Sequence, residues 1–176
     1  PVAAPAMENA QIVKPNFLVV GAEKSGTTTF CHQIAQHPQV FVSTPKEPHF
    51  FSRDDDYEQK GLDWYYRLFD AGRDAVAIGE GSVTYSYESR QDRVIPRLLE
   101  HLPDVRIVYL MRHPVRRMES IWTQTQSLGE VEPETTFAEF VYTHRRVLFS
   151  NSYYFAGVSA FREHCPPERM LLILLD

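Results

Sequence analysis

The sequence is poor in cysteine. Its 176 residues include two, Cys31 and Cys165, too few for a disulfide framework and without the paired spacing of a structural metal site. Both are expected as reduced, packed thiols. Long apolar runs are missing as well: nothing approaches the roughly 20 residues that cross a bilayer. The opening PVAAPAMENAQ lacks the basic and apolar regions of a signal peptide. These absences predict a chain without a transmembrane segment and a cytoplasmic location. Positive charge is also in deficit, with 18 Lys and Arg against 23 Asp and Glu, net −5. That excludes a basic nucleic-acid binder and means that a polyphosphate ligand needs a local positive pocket. There is no repeat, no low-complexity tract and no cluster with metal-ligand spacing, so no metal is expected.

What is present reads as one globular domain. Apolar residues make up 43% and charged residues 23%, the balance of a chain that folds around a core. Residues 1–15, without an initiator Met, read as a flexible lead-in or linker, and 16–176 as the domain. The chain stops at Asp176, straight after an expected strand, which predicts that covering C-terminal residues are missing. Short apolar runs predict strands at FLVVG (17–21), AVAIG (75–79), RIVYLM (106–111) and MLLILL (170–175), with a short extended piece at VFV (40–42). Helical spacing predicts helices over 26–37, 57–69, 90–102, from about Pro114, and over 135–149 and 153–164. Apolar strands alternating with helices predict an α/β fold, a parallel β-sheet with helices on both faces in three layers, like that of P-loop NTPases. In such sheets ligands bind beyond the carboxyl ends of the strands. That rule directs attention to 21–29, 43–52, 80–87 and 112–120.

GAEKSGTTT (21–29) ends the first strand and opens the first helix. Gly21 and Gly26 permit tight turns and close backbone approach. The helix start offers free N–H groups and the positive end of its dipole. Ser25, Thr27, Thr28 and Thr29 add hydroxyl donors and Lys24 a full charge, which together suit a phosphate. The loop departs from the Walker pattern, because Thr27 stands where that pattern has its Lys and the Lys has moved to position 24. This disfavours ordinary nucleoside triphosphate chemistry. The stretch PNFLVVGAEKSGTTT resembles the 5′-phosphosulfate loop of the sulfotransferases, enzymes that move a sulfuryl group from 3′-phosphoadenosine 5′-phosphosulfate (PAPS) to a hydroxyl or amine and release 3′,5′-bisphosphoadenosine (PAP). The resemblance implies that residues Lys24 to Thr29 wrap the 5′ end of PAPS, and that Lys24 neutralises charge developing on the leaving phosphate.

Three further segments carry the resemblance, chiefly to heparan-type and bacterial members. In RIVYLMRHPVRRMES (106–120), Arg112 and Ser120 have the spacing with which the family grips the 3′-phosphate, a task that suits the planar fork of Arg. Arg116 and Arg117 add charge nearby. Taken alone, the same run would serve as a solvated basic helix start. STPKEPHFF (43–51) resembles the family's PKE-x-HFF segment. The resemblance implies Glu47 as the base that takes the acceptor's proton, His49 as its support or replacement, and Lys46 in contact with donor or acceptor. Without it, Glu47 and His49 would read as ordinary loop residues. Phe50 and Phe51 read as core. Where part of the family has Asp after HFF, this chain has Ser52, and Asp54, Asp55 and Asp56 read as a solvated run. GEGSVTYSY (79–87) resembles the stretch G-E-x-[ST]-P-x-Y near the acceptor and implies contacts with acceptor or donor from Ser82, Thr84 and Tyr85, although a polar strand-end turn reads equally well. Heparan-type members have Lys where Gly81 stands, and Val83 replaces the usual Pro. A sulfated polysaccharide acceptor is thereby weakened; glycan, lipid, polyketide, small alcohol and peptide tyrosine stay open.

The function expected is in-line sulfuryl transfer from PAPS without a metal. The alternatives are a P-loop kinase or NTPase and a non-catalytic nucleotide-binding module of a larger protein.

Overall fold

The computed structural model describes residues 12–175. Residues 1–11 of the expected lead-in lie outside the described residues, while Val13 is buried and packs into the core. Five strands form one parallel sheet: β1 (Phe17–Gly21), β2 (Val40–Val42), β3 (Ala77–Gly81), β4 (Arg106–Arg112) and β5 (Met170–Leu175), in the order β2-β3-β1-β4-β5. Every residue of β1 is buried, as a strand covered on both faces requires. The two-residue pleat divides its side chains. Phe17 and Val19 join Val108, Leu110 and Cys31 under helix α1 (Thr27–Ile34). Leu18 and Val20 join Ile78, Ile107 and Tyr109 on the opposite face, under α2 (Gly61–Arg67), α3 (Glu88–His101) and α6 (Tyr154–Arg162). Helices therefore cover both faces, the three-layer α/β arrangement expected. Helices α4 (Pro114–Ser127) and α5 (Phe137–Ser150) pack on each other through Met118, Phe140 and Leu148. Pro114 occupies the first helical turn, where no hydrogen bond is lost, and α5 opens with a capping box between Thr136 and Glu139.

Most expected elements fall within two residues of their observed bounds. The exceptions have local causes. The helix expected to reach His37 stops at Ile34, because the amides of Gln36 and His37 bond three residues back, to Gln33 and Ile34, and tighten the chain ahead of Pro38. The helix expected at 57–69 begins as a π-helical turn, Asp56–Lys60, before α2. Strand β3 runs 77–81 rather than 75–79: Glu80 is inside it, and Val76 is exposed.

The strand order positions the site. The chain leaves β1 for β2 and β3 on one side, then crosses to β4 on the other. β1 and β4 are hydrogen-bonded neighbours, and the order reverses between them, which is where α/β sheets open a ligand crevice. The segment after β2 is anchored by aromatics. Phe50 and Phe51 are wholly buried; Phe50 stacks on Tyr65 at 4.7 Å between centroids, and Phe51 meets Tyr65 edge-on at 4.9 Å. Both are core residues, as read from the sequence. Phe51→Ala is expected to cost about 3–5 kcal/mol in chemical denaturation; a loss under about 1 kcal/mol would show that the aromatic cluster does not anchor this segment.

Candidate active site

The glycine-rich loop turns at the end of β1. A Cβ on Gly21 would stand 2.2 Å from Ser86 Oγ, so no side chain fits there. Gly26, with φ of 78°, caps α1 in the left-handed region that glycine enters without steric cost. The loop is tied to the neighbouring strand, because Ala22 N–H donates to Leu110 O of β4 at 2.6 Å. Lys24 has φ of 62° and donates from Nζ to Gln124 Oε1 of α4 at 2.9 Å.

One cleft of about 500 Å³ brings the expected groups together. Lys24, Gly26, Thr27 and Thr28 line it from the loop and helix start, Arg112 and Ser120 from β4 and α4, and Glu47 from the segment after β2. Glu23, Val83, Gln124 and Leu175 complete it. Two buried polar atoms here have no partner in the protein, Ser25 Oγ in the loop and Arg112 Nε at the strand end. A buried polar atom without a partner costs about 1–3 kcal/mol; Arg112 lines the cleft and is suited to meet a ligand anion there, whereas Ser25 lies beneath the loop, outside the lining. Thr29 is exposed and does not line the cleft. Arg116 lines an adjoining groove with Lys24, Arg112 and Ser120. Arg117 points away: it is fully buried and donates to Leu148 O and Ser152 Oγ, each at 3.3 Å.

Glu47 stands between two bases. Its Oε1 accepts from Lys46 Nζ at 2.6 Å, and its Oε2 lies 3.4 Å from His49 Nε2. Neither Lys46 nor His49 lines the cleft. His49, expected as catalytic, lies beside Glu47 and outside the cleft lining. Burial pushes its pKa below the usual 6.5, against the upward pull of Glu47. A Cβ on Gly81 would meet Cys31 Sγ at 3.0 Å and Lys46 Cε at 3.7 Å. Among the described residues, the non-glycine residues with positive φ are Lys24, Glu47 and His49. Such conformations cost of order 1–3 kcal/mol and gather at functional sites. Asp54, by contrast, is held by Arg93 and Arg97 at 2.6 and 2.7 Å, and the Arg97 hydrogen bond keeps its carboxyl below the usual range.

Ser82 and Tyr85, expected at the acceptor, do not line the cleft. Both side chains are fully buried, because β3 extends past the glycine read as its end and takes Ser82 inward with it. Their hydroxyls serve a buried carboxyl that sequence reasoning missed. Glu80 Oε2 accepts from Ser82 Oγ at 2.7 Å, Oε1 from Tyr65 at 3.3 Å, and Tyr85 adds a further hydrogen bond. Ser82 Oγ in turn accepts from His49 N–H at 3.0 Å, and Tyr85 Oη from Phe51 N–H at 3.4 Å. Glu80 thus holds the backbone on which Glu47 and His49 are mounted. The available signal was a lone carboxylate between two glycines in an apolar run, close to several hydroxyls: a buried charge must find partners.

Comparison with known proteins points to one family. A model of the sulfotransferase domain matches residues 14–174. The chain is 31% identical over 114 residues to a membrane-associated sulfotransferase of Dictyostelium discoideum, covering 63% of this chain and 23% of that protein. It is 34% identical over 114 residues to human heparan sulfate glucosamine 3-O-sulfotransferase 6, covering 64% and 31%. The chain therefore spans less than a third of the length of either. A solved sulfotransferase from Alicyclobacillus acidocaldarius superposes with a TM-score of 0.79 at 28% identity, over 93% of this chain and 74% of that one. Among the described residues no helix is long and apolar enough to cross a membrane.

Burial raises the Glu80 pKa from 4.5 to about 7 against the pull of its three hydroxyl donors. A raised carboxyl favours the folded state most below its unfolded pKa, and that contribution is lost as pH climbs through the folded value. The stability of the native protein relative to Glu80→Gln is therefore expected to fall from pH 4.5 to about 7 and then level off. Parallel curves in denaturation across that range would show that Glu80 is ionised throughout.

Proposed function

Since this chain belongs to the sulfotransferase family, we propose that it carries the donor site and the base for in-line transfer of a sulfuryl group from PAPS to an acceptor hydroxyl, with release of PAP. The observation that carries this reading is the single cleft lined jointly by Lys24, Gly26, Thr27, Thr28, Arg112, Ser120 and Glu47. Two anion grips on neighbouring parallel strands suit a ligand with a phosphate at each end, and Glu47, lining the same cleft from the β3 side of the loop, suits a proton acceptor at the reacting centre. The unpartnered Arg112 Nε fits the same donor.

PAPS supplies a sulfuryl group already activated by its bond to phosphate. The chain's part is to bind, orient and move one proton. The residues from Lys24 to Thr28 hold the 5′ end through backbone N–H groups, hydroxyls and the α1 dipole. Lys24 places a full positive charge where the leaving phosphate gains negative charge. Arg112 and Ser120 hold the 3′-phosphate, with Arg116 adding charge beside them. Glu47 takes the acceptor's proton. Glu23 and Glu47 both face the cleft, Lys46 is already paired, and Gly81 brings no cation of its own. The acceptor assigned is therefore less anionic than the heparan sulfate named for several relatives.

Thermal shift separates the readings, since a ligand that binds only the native state raises Tm. PAP is expected to stabilise the protein, while ATP, with or without magnesium, stabilises it far less; the reverse order would favour a kinase or NTPase. Lys24→Ala is expected to lower turnover of PAPS by roughly 10²–10³-fold with Tm nearly unchanged. Arg112→Ala is expected to weaken PAP by about tenfold or more and 5′-AMP little, since a charge-assisted hydrogen bond is worth about 1.5–3 kcal/mol. Equal losses for both nucleotides would remove the 3′-phosphate assignment. Glu47→Gln should bind PAP normally and transfer no sulfate; full activity would remove Glu47 as base.

A further inference from the structure

The donor accounts for only part of the cleft wall. With Lys24 to Thr28 assigned to its 5′ end and Arg112 and Ser120 to its 3′-phosphate, the wall toward β3 is left to Glu23, Glu47 and Val83. Val83 lies in the turn after β3, and Glu47 N–H donates to Gly81 O at the end of that strand. Glu23 is tied to the same side, because its Oε2 accepts from Tyr87 Oη at 2.9 Å. That bond has one direction. Burial, and next the charge and hydrogen bond of Glu23, push the Tyr87 pKa above its usual 10, so the hydroxyl keeps its proton and donates. A neutral hydroxyl orients a carboxylate without neutralising it. The cations around Glu23 are engaged elsewhere: Lys24 with Gln124, Lys46 with Glu47, and buried Arg117 with Leu148 O and Ser152 Oγ. Among the described residues Glu23 has no ion pair. Nor does the cleft hold a surplus of positive charge. In its lining Lys24 and Arg112 stand against Glu23 and Glu47, and the adjoining groove adds Arg116 against Glu119.

We propose that Glu23, aimed by Tyr87, sets acceptor specificity by seating a protonated amine, so that the acceptor is a hydroxyl compound carrying an ammonium group. The inference rests on the donor-site reading given above and names the class of molecule that site serves. A carboxylate in the wall of a cleft that admits a polyanion is unfavourable by itself, since like charges repel strongly where water is excluded. An ammonium on the acceptor removes that cost and forms a charge-assisted hydrogen bond with the free lone pairs of Glu23. Glu47 is not the seat, because Lys46 already holds it at 2.6 Å. The two carboxylates therefore divide the acceptor between them. Glu47 meets the hydroxyl that is to be sulfated, and Glu23 meets the cation. A protonated amine has no lone pair with which to attack sulfur, so it binds without competing as nucleophile. Val83, the remaining wall residue on this side, suits an apolar link between the two groups. An anionic acceptor would face Glu23 as well as the donor, and the lining has no cation left to offset it. Tyr87 is a positioning residue: it touches Glu23 and does not line the cleft.

Two matched acceptor series test the assignment, with sulfated product and PAP measured at saturating PAPS. One is tyramine, 4-ethylphenol and 4-hydroxyphenylacetate; the other is glucosamine, glucose and glucuronate. Each varies charge on a shared hydroxyl frame. In the series the protein uses, kcat/KM is expected to be roughly tenfold higher for the amine than for the neutral compound, and lowest for the acid. Glu23→Gln is expected to bring amine and neutral compound within about twofold of each other, and Glu23→Lys to turn the preference toward the acid. Tyr87→Phe is expected to raise KM for the amine more than for the neutral compound, a split that a general loss of structure would not produce. The rise in Tm caused by PAP is expected to be at least as large in Glu23→Gln as in the native protein, because a repelling carboxylate is gone; a smaller rise would place Glu23 at the donor and overturn the assignment. A native preference for the neutral or anionic compound, a preference for the amine that survives Glu23→Gln, or no turnover of either amine by a protein that binds PAP would overturn it too. Failure of PAP to raise the Tm of the native protein would instead sink the donor-site reading, and this inference with it.

Discussion

The parallel pairing of β1 with β4 is the constraint from which the site follows. Two parallel neighbours end on the same rim, so the loop after β1 and the arginine ending β4 must lie side by side. The hydrogen bond from Ala22 to Leu110 extends that pairing one residue into the loop. Lys24 reaches α4 at Gln124, one helical turn beyond Ser120. Neither grip therefore moves without the other. The two segments are set apart by the distance between two strands of one sheet, which is among the stiffest rulers a fold offers.

The base side is held differently, by a buried carboxyl. Glu80 lies in β3, opposite Leu18 of β1, and gathers three hydroxyls in the core. Two of them, from Ser82 and Tyr85, also receive the amides of His49 and Phe51. The positive φ values of Glu47 and His49 are thus opposed by a polar network below and by the Phe50, Phe51 and Tyr65 cluster beside them. Burying a carboxyl is costly, and here it fixes the backbone that presents Glu47.

The sequence made the layered architecture legible because its strands are short, apolar and bounded by glycine, proline or charge. That the loop after β1 and the end of β4 line one cleft was legible for the same reason: each sits where a strand gives way to a helix, and each is rich in donors. Strand β3 was misread because Glu80 has the charge of a chain reversal, and only its partners make it a core residue. Those partners, Tyr65 from α2 and Ser82 and Tyr85 from the turn after β3, come together only in three dimensions, and no local pattern announces them. Ser82 and Tyr85 were accordingly expected at the acceptor, while their buried hydroxyls bond Glu80. His49 was expected beside Glu47, where it lies, but whether it lined the cleft depended on a left-handed turn that residue types do not reveal. Gln124 and Glu23 carry no motif and enter the cleft by position alone.

The central claim is that one nucleotide is clasped at both ends by a single cleft, and a crystal structure of the protein with PAP measures it most directly. The expected result is one PAP molecule with its 5′-phosphate against residues 24–28 and its 3′-phosphate against Arg112 and Ser120. A nucleotide bound elsewhere, or held in the cleft by one phosphate with the other in solvent, would contradict it.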